Sequence, residues 1–110
     1  MNDYILLVYC TTANVEEAEM IARTLVEKKL AACCNIIPAI TSIYSWDGEV
    51  KESKDALLMI KTTPKMYEQL EKEIKMIHSY SVPEIIARRI DMGSTAYFDW
   101  IHECLEHKEM

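Results

Sequence analysis

One short segment, IHSYSVPEII at residues 77–86, carries side chains that could do chemistry. His78 offers an imidazole and Glu84 a carboxylate, while the thiol of Cys10 ends an apolar segment at the start of the chain. Imidazole, carboxylate and thiolate are all ligands of transition metals. If the fold makes these segments neighbours, Cys10, His78 and Glu84 could form a metal site.

Each of these residues also has an ordinary structural interpretation. A histidine at a helix end can hydrogen-bond the last carbonyls and favours the negative end of the helix dipole. Cys10 could be a small buried hydrophobic residue, and Glu84 could pair with Arg88. A cysteine enzyme is a third possibility, with Cys10 or Cys33 as nucleophile and His78 as base. The two glycines cannot supply a P-loop or a Rossmann motif, and we expect a protein that is not an enzyme.

The remaining potential ligands do not form recognisable motifs. Cys33 and Cys34 are adjacent, so on a strand they point to opposite faces. There is no CxxC pair, and a structural zinc site therefore has no support. His102 and His107 could chelate an ion from the last predicted helix, but a solvated helix face is the simpler interpretation.

Composition limits the class of protein. The chain has 110 residues, half of them hydrophobic, which fits a single domain over residues 1–110. A net charge of −6 argues against a nucleic-acid partner, and no apolar run approaches the ~20 residues of a membrane span. The opening MNDYILLVYC lacks a positive lead and reads as a strand rather than a signal peptide. We therefore expect a cytoplasmic location and free thiols.

The order of the predicted elements indicates the fold. Asn14 and Glu17 form a capping box at the start of the first helix, and Pro38 marks an edge strand or a bulge. The predicted elements are a strand at 3–11, a helix at 13–32, a strand at 33–46, a WDGE turn at 46–49, a strand at 50–63, a helix that begins at Thr63-Pro64, a strand at 81–90 and a helix after Gly93-Ser94. This order predicts an α+β, ferredoxin-like βαββαβ sandwich with a C-terminal helix and a long β2–β3 hairpin.

A single copy of this fold looks incomplete. The first strand is apolar on both faces, but two helices cover only one face of a sheet. The long hairpin must bend or protrude, and a protruding hairpin would expose Ile43, Tyr44 and Trp46 to water. A closed symmetric oligomer would solve both problems. The alternative is that the last helix folds back over the open face.

Several unusual blocks resemble the CutA family of divalent-cation tolerance proteins. They are KLAACCNIIPAITSIYSWDGEV, IKTTP and HSYSVPEII, and the similarity runs from VYCTT to YFDWI. The resemblance implies a ferredoxin-like subunit in a compact homotrimer, similar to the trimers of PII signalling proteins. It also implies binding of divalent copper (Cu2+), with Cys10 and Glu84 matching metal-linked positions and His78 matching less closely.

The same resemblance implies a cleft between subunits. Trp46, Lys61 and Tyr80 match strongly patterned positions that could line it, although Tyr and Trp are also common in the cores of interfaces. We therefore expect a homotrimer that binds divalent metal ions, copper first, and contributes to cation tolerance. The alternative is a PII-like signalling or adaptor trimer that takes a small effector or a partner protein in its clefts. Ser79 departs from the family pattern, where a proline usually follows the histidine.

Overall fold

The computed structural model of the protein describes residues 4–106, which form four strands and three helices. The elements, in chain order, are β1 (Ile5–Thr12), α1 (Val15–Glu27), β2 (Cys33–Trp46), β3 (Glu49–Thr62), α2 (Pro64–Ile77), β4 (Ile85–Ile90) and α3 (Thr95–Leu105). The strands make one antiparallel sheet in the order β2-β3-β1-β4. This is the predicted ferredoxin-like arrangement with an additional C-terminal helix.

The first helix begins as predicted and ends earlier. The side chain of Asn14 accepts a hydrogen bond from the Glu17 amide at 2.8 Å, and the Glu17 carboxylate accepts one from the Ala13 amide at 3.0 Å. The helix was expected to run to residue 32 but ends at Glu27. Lys29 turns the chain with a φ of 59°, and the amides of Leu30 and Ala31 donate to the carbonyl of Leu25. The prediction failed because the apolar residues that follow pack as a buried loop.

Proline and glycine act where the sequence indicated. The β2–β3 register shifts between Ile37 and Ile40, which places a bulge at Pro38 on an edge strand. Asp47 and Gly48 have φ values of 52° and 74°, as a two-residue hairpin turn requires. The fourth strand was predicted from residue 81, but pairing begins only at Ile85, beyond Pro83.

The main core lies between one face of the sheet and the helices α1 and α2. Alternate residues of the central strands point into it, including Val8 and Cys10 from β1 and Leu58 and Ile60 from β3. The helices contribute their apolar stripes, formed by Ala18, Ile21, Leu25, Leu70 and Ile74. All of these side chains are fully buried.

The opposite face of the sheet is covered only in part. At one end of the sheet, α3 packs Ile101 and Leu105 against Ile5. The alternative in which the last helix folds back over the open face is therefore correct for this end of the sheet. Further along, Leu7, Tyr9 and Met59 are half-buried, and Ile86 is 57% exposed.

The β2–β3 hairpin extends beyond the layer of helices. Its apolar side chains near the turn stay in water: Ile43 is 68% exposed, Trp46 53% and Val50 81%. The subunit is 48 Å long but only 22 Å thick. A single subunit therefore leaves apolar surface wet both on the hairpin and on the open face. Within residues 4–106, no helix combines the length and apolar character needed to cross a membrane.

Candidate functional site

A groove of about 870 Å3 lies between the β2–β3 hairpin and the loop that joins α2 to β4. The hairpin supplies one wall and the segment around Tyr80 supplies the other. The lining residues are Thr11, Ser42, Ile43, Tyr44, Trp46, Lys51, Ser53, Asp55, Ser79, Tyr80, Ser81, Val82 and Glu84. The groove mixes aromatic rings, hydroxyl groups and carboxylates, which is the chemistry of a binding site for a small molecule or ion.

His78 stands at the C-terminal cap of α2, and its ring is fully buried. Its Nδ1 accepts a hydrogen bond from the amide of Tyr80 at 3.0 Å. Nδ1 therefore has no proton, and Nε2–H donates to the carbonyl oxygen of Thr11 at 2.8 Å. The ring is neutral in this arrangement, and both of its nitrogen atoms are bonded within the subunit.

Glu17 fixes the loop that follows His78. Its carboxylate accepts from the Ser79 amide at 2.7 Å and from the Ser79 hydroxyl at 3.0 Å. Burial by itself raises the pKa of Glu17, but the hydrogen bonds that its carboxylate accepts from Ser79 and Ala13 outweigh burial and leave the pKa lowered. The N-terminal turn of α1 thus holds the wall of the groove that carries Tyr80.

Cys10 lies in the core with no exposed surface. Burial raises the pKa of its thiol to about 12, with further contributions from the charges of Glu17, Glu84 and Cys34. The residue is therefore a neutral thiol at physiological pH. A metal ion would have to displace its proton before the sulfur could become a ligand.

The three predicted metal ligands do not form a ready site in one subunit. Glu84 lines the groove, His78 is hydrogen-bonded on both nitrogens, and Cys10 is a buried thiol. Among residues 4–106, no three His, Cys, Asp or Glu side chains are grouped so that they could hold a metal ion. The predicted ligand set therefore stays a prediction, which needs a rearrangement or further donors.

The residues expected to line a cleft between subunits are separated in the structure. Trp46 and Tyr80 both line the groove. Lys61 follows Asp55 by six residues on the same face of β3, about 20 Å away along the strand, and contacts the side-chain oxygen of Asn35. Whether a neighbouring copy closes the groove into a cleft stays a prediction.

The remaining candidates have other surroundings. The ring of His78 hydrogen-bonds to backbone groups of Thr11 and Tyr80 rather than to a cysteine, as a nucleophile–base pair would require. All four cysteines are free thiols. His102 lies on α3, whereas His107, the other histidine of the predicted chelating pair, lies outside the described residues.

Sequence reasoning missed the role of two carboxylates. Asp55 is buried beside the groove and accepts hydrogen bonds from the hydroxyls of Ser53 and Tyr80 at 3.1 and 3.3 Å. Its signal in the sequence is a single acid directly before the apolar run ALLMI. Glu17 was identified as a capping residue, but nothing in the sequence indicates its bonds to Ser79, 62 residues later.

These features define a class of protein: a ferredoxin-like α+β subunit with an extended hairpin beside a polar and aromatic groove. The CutA1 divalent ion tolerance protein model matches residues 6–104. The chain therefore belongs to the CutA1 family.

Relatives from distant organisms support this membership. The divalent-cation tolerance protein CutA of Thermus thermophilus is 46% identical over 97 residues, which cover 88% of this chain and 94% of that protein. Protein CutA of Mus musculus is 42% identical over 98 residues, which cover 89% of this chain but only 55% of the mouse protein. The chain thus spans about half the length of the mouse relative.

Solved structures agree with the fold. The Cut A1 structure from Thermus thermophilus superimposes with a TM-score of 0.91 at 44% identity, covering 93% of this chain and 99% of that one. CutA1 from Oryza sativa gives a TM-score of 0.92 at 36% identity, covering 97% and 98%. The subunit architecture is therefore shared across bacteria and plants.

Proposed function

We propose that this protein contributes to divalent-cation tolerance by binding divalent metal, copper(II) first, as a cytoplasmic homotrimer. The observation that carries the proposal is the family match along residues 6–104, together with relatives that are named for divalent-cation tolerance. The half-covered face of the sheet and the exposed hairpin support self-association, because a closed oligomer removes such apolar surface from water.

Glu84 is the member of the predicted ligand set that faces the groove. Among residues 4–106 it takes part in none of the ion pairs, so its carboxylate is available to an incoming cation. His78 would have to release its bond to Thr11 or to Tyr80 before it could bind a metal. Donors from a neighbouring copy are the simplest way to complete a site that begins with Glu84.

Titration calorimetry with copper(II) tests the metal proposal. We expect one ion per subunit and a loss of affinity of at least about tenfold in Glu84→Gln, since a charged ligand is replaced by a neutral amide. His78→Ala and Cys10→Ser, measured beside it, show whether these residues join the site after rearrangement. Glu68→Gln, an exposed glutamate on α2, is the matched control. Copper binding that is unchanged in all three site variants would refute the predicted ligand set.

Sedimentation equilibrium tests the assembly. We expect a mass of three subunits at micromolar concentration, and substitution of the exposed Ile43 by Asp should weaken the assembly while leaving the helical signal intact. A folded single subunit at that dilution would contradict the oligomer.

A further inference from the structure

The floor of the groove holds a buried negative charge. Asp55 is only 7% exposed, and its two oxygens accept hydrogen bonds from the hydroxyls of Ser53 and Tyr80. An ionised carboxylate offers about four acceptor positions, so part of its capacity stays unused. In the described part of the chain, Asp55 is not among the ion-paired residues. A carboxylate buried without a cation is costly, and a cation from outside would compensate it.

The charges around Asp55 favour a cation. Glu84 adds a second carboxylate to the lining. The one basic residue of the lining, Lys51, has its ammonium group 3.2 Å from the carboxylate of Glu49, two residues earlier on the same strand. The chain as a whole carries a net charge of −6, which raises the local concentration of cations at a concave, acidic surface.

The walls of the groove suit an organic rather than a purely inorganic cation. Tyr44, Trp46 and Tyr80 line it and are 44%, 53% and 38% exposed in a single subunit. In the proposed homotrimer these rings would lie at the boundary between neighbouring copies. Aromatic faces attract both apolar groups and organic cations. The volume of about 870 Å3 lies within the range of pockets for small molecules, about 300–1,000 Å3.

We propose that the groove binds a small organic cation, a primary ammonium group on an apolar body, with the ammonium held by Asp55 and Glu84. The body packs against the aromatic rings of the wall. Three hydrogens on the ammonium nitrogen match the unused acceptor positions of the two carboxylates. The proposed site shares Glu84 with the predicted copper ligands. It differs from them in Asp55, which is not one of the predicted metal ligands.

Fluorescence titration with 2-phenylethylammonium chloride tests the proposal. The chain has two tryptophans, and Trp100 stacks on Tyr97 in α3 rather than lining the groove. In a Trp100→Phe background the signal therefore reports on Trp46. The protein is freed of metal with EDTA and dialysed, and the ionic strength is held constant because charge interactions at a surface are screened by salt. We expect a saturable change with 2-phenylethylammonium and none with the anion 3-phenylpropionate.

Three variants test whether Asp55 and Glu84 hold the ammonium group. Asp55→Asn and Glu84→Gln should each weaken binding of the ammonium probe by at least about tenfold, and Glu68→Gln should leave it unchanged. Asp55→Asn should also keep its copper affinity, because Asp55 is outside the predicted ligand set. Loss of copper binding in Glu84→Gln alone, with the ammonium titration unaffected by Asp55→Asn, would refute this inference and leave the copper proposal intact.

Other outcomes would also overturn the proposal. Equal affinity for the anionic probe would show that the groove recognises only the phenyl ring. No saturation by about 10 mM ammonium probe would mean an interaction too weak to be specific. The proposal would also be wrong if the probe did not bind the unsubstituted protein and Asp55→Asn dissociated the oligomer in sedimentation. That result would mean that a basic residue of a second copy occupies the groove.

Discussion

Replacement of Glu17 by glutamine tests how the loop with His78 and Tyr80 is held in place. The Glu17 carboxylate accepts three hydrogen bonds, from the Ala13 amide, the Ser79 amide and the Ser79 hydroxyl, at 3.0, 2.7 and 3.0 Å. Its side chain is only 10% exposed. Glutamine has the same shape but places an NH2 group where one acceptor oxygen stands. That NH2 group would face the Ser79 amide, donor against donor.

The expected loss follows from these bonds. A hydrogen bond to a charged group contributes about 1.5–3 kcal/mol. The glutamine carbonyl keeps the bonds from Ala13 and the Ser79 hydroxyl, so the one bond that is lost is the bond from the Ser79 amide. We expect Glu17→Gln to lower the free energy of unfolding by about 2 kcal/mol at neutral pH.

The effect should depend on pH in a defined direction. The pKa of Glu17 is lowered below its ordinary value of 4.5 in the folded protein. A lowered folded-state pKa means that the carboxylate stabilises the fold above pH 4.5 and that this contribution is lost as the pH falls through the lowered folded-state value. Glutamine does not titrate, so the difference between the two proteins should shrink in acid.

Urea denaturation at neutral pH and at about pH 3 measures both effects. Protein concentrations must be equal, because the stability of an oligomer depends on concentration. Glu16→Gln is the matched control, since Glu16 is an exposed acid in the same helical turn. The reasoning would be refuted if Glu17→Gln were as stable as the Glu16→Gln control at neutral pH. It would also be refuted if the difference in stability between Glu17→Gln and the unsubstituted protein stayed constant down to about pH 3.

Further predictions concern the core, a thiol and an ion pair. Leu70→Ala should lower the free energy of unfolding, measured by urea denaturation, by about 2–5 kcal/mol because Leu70 is fully buried. Met76→Ala, at a 74% exposed position of the same helix, should change the free energy of unfolding by no more than about 0.5 kcal/mol. Cys10 should resist iodoacetamide in the native protein and react after unfolding, since burial raises its pKa to about 12; mass spectrometry of labelled peptides would show early modification if this is wrong. Lys28→Met should lower the free energy of unfolding by about 1–2 kcal/mol, because it removes the cation that lies 2.8 Å from the Glu73 carboxylate. The Glu73 side chain is only 8% exposed, whereas that of Lys28 is 54% exposed. Adding Glu73→Gln should restore much of that loss, and a double variant no more stable than Lys28→Met would contradict the pairing.

The parts of the fold that depend on local chemistry could be predicted from the sequence. The turn at Asp47-Gly48, the bulge at Pro38 and the helix start at Thr63-Pro64 all follow from which backbone angles those residues allow. The strands and helices follow from apolar periods of two and 3.6 residues. The end of α1 was mispredicted because apolar residues beyond Glu27 continue the pattern, although the chain leaves the helix at Lys29.

The candidate site could be predicted only in outline. The sequence indicated that His78 stands at a helix end, and it does. The helix-end interpretation expected bonds to the last carbonyls of its own helix, but the Nε2 of His78 instead bonds to the carbonyl of Thr11, 67 residues away. No local pattern encodes that partner, since it depends on how α2 packs beside β1.

The sequence by itself determined the order of elements, the family and the two apolar faces of β1, because each of these is carried by residue types and their spacing along a few turns or strands. Only the tertiary structure decided that Cys10 is a buried thiol, that Glu17 holds the loop of His78, and that Asp55 lies under the groove. Those properties come from contacts between segments far apart in the chain, and burial and charge at such contacts exist only once the sheet and helices have packed.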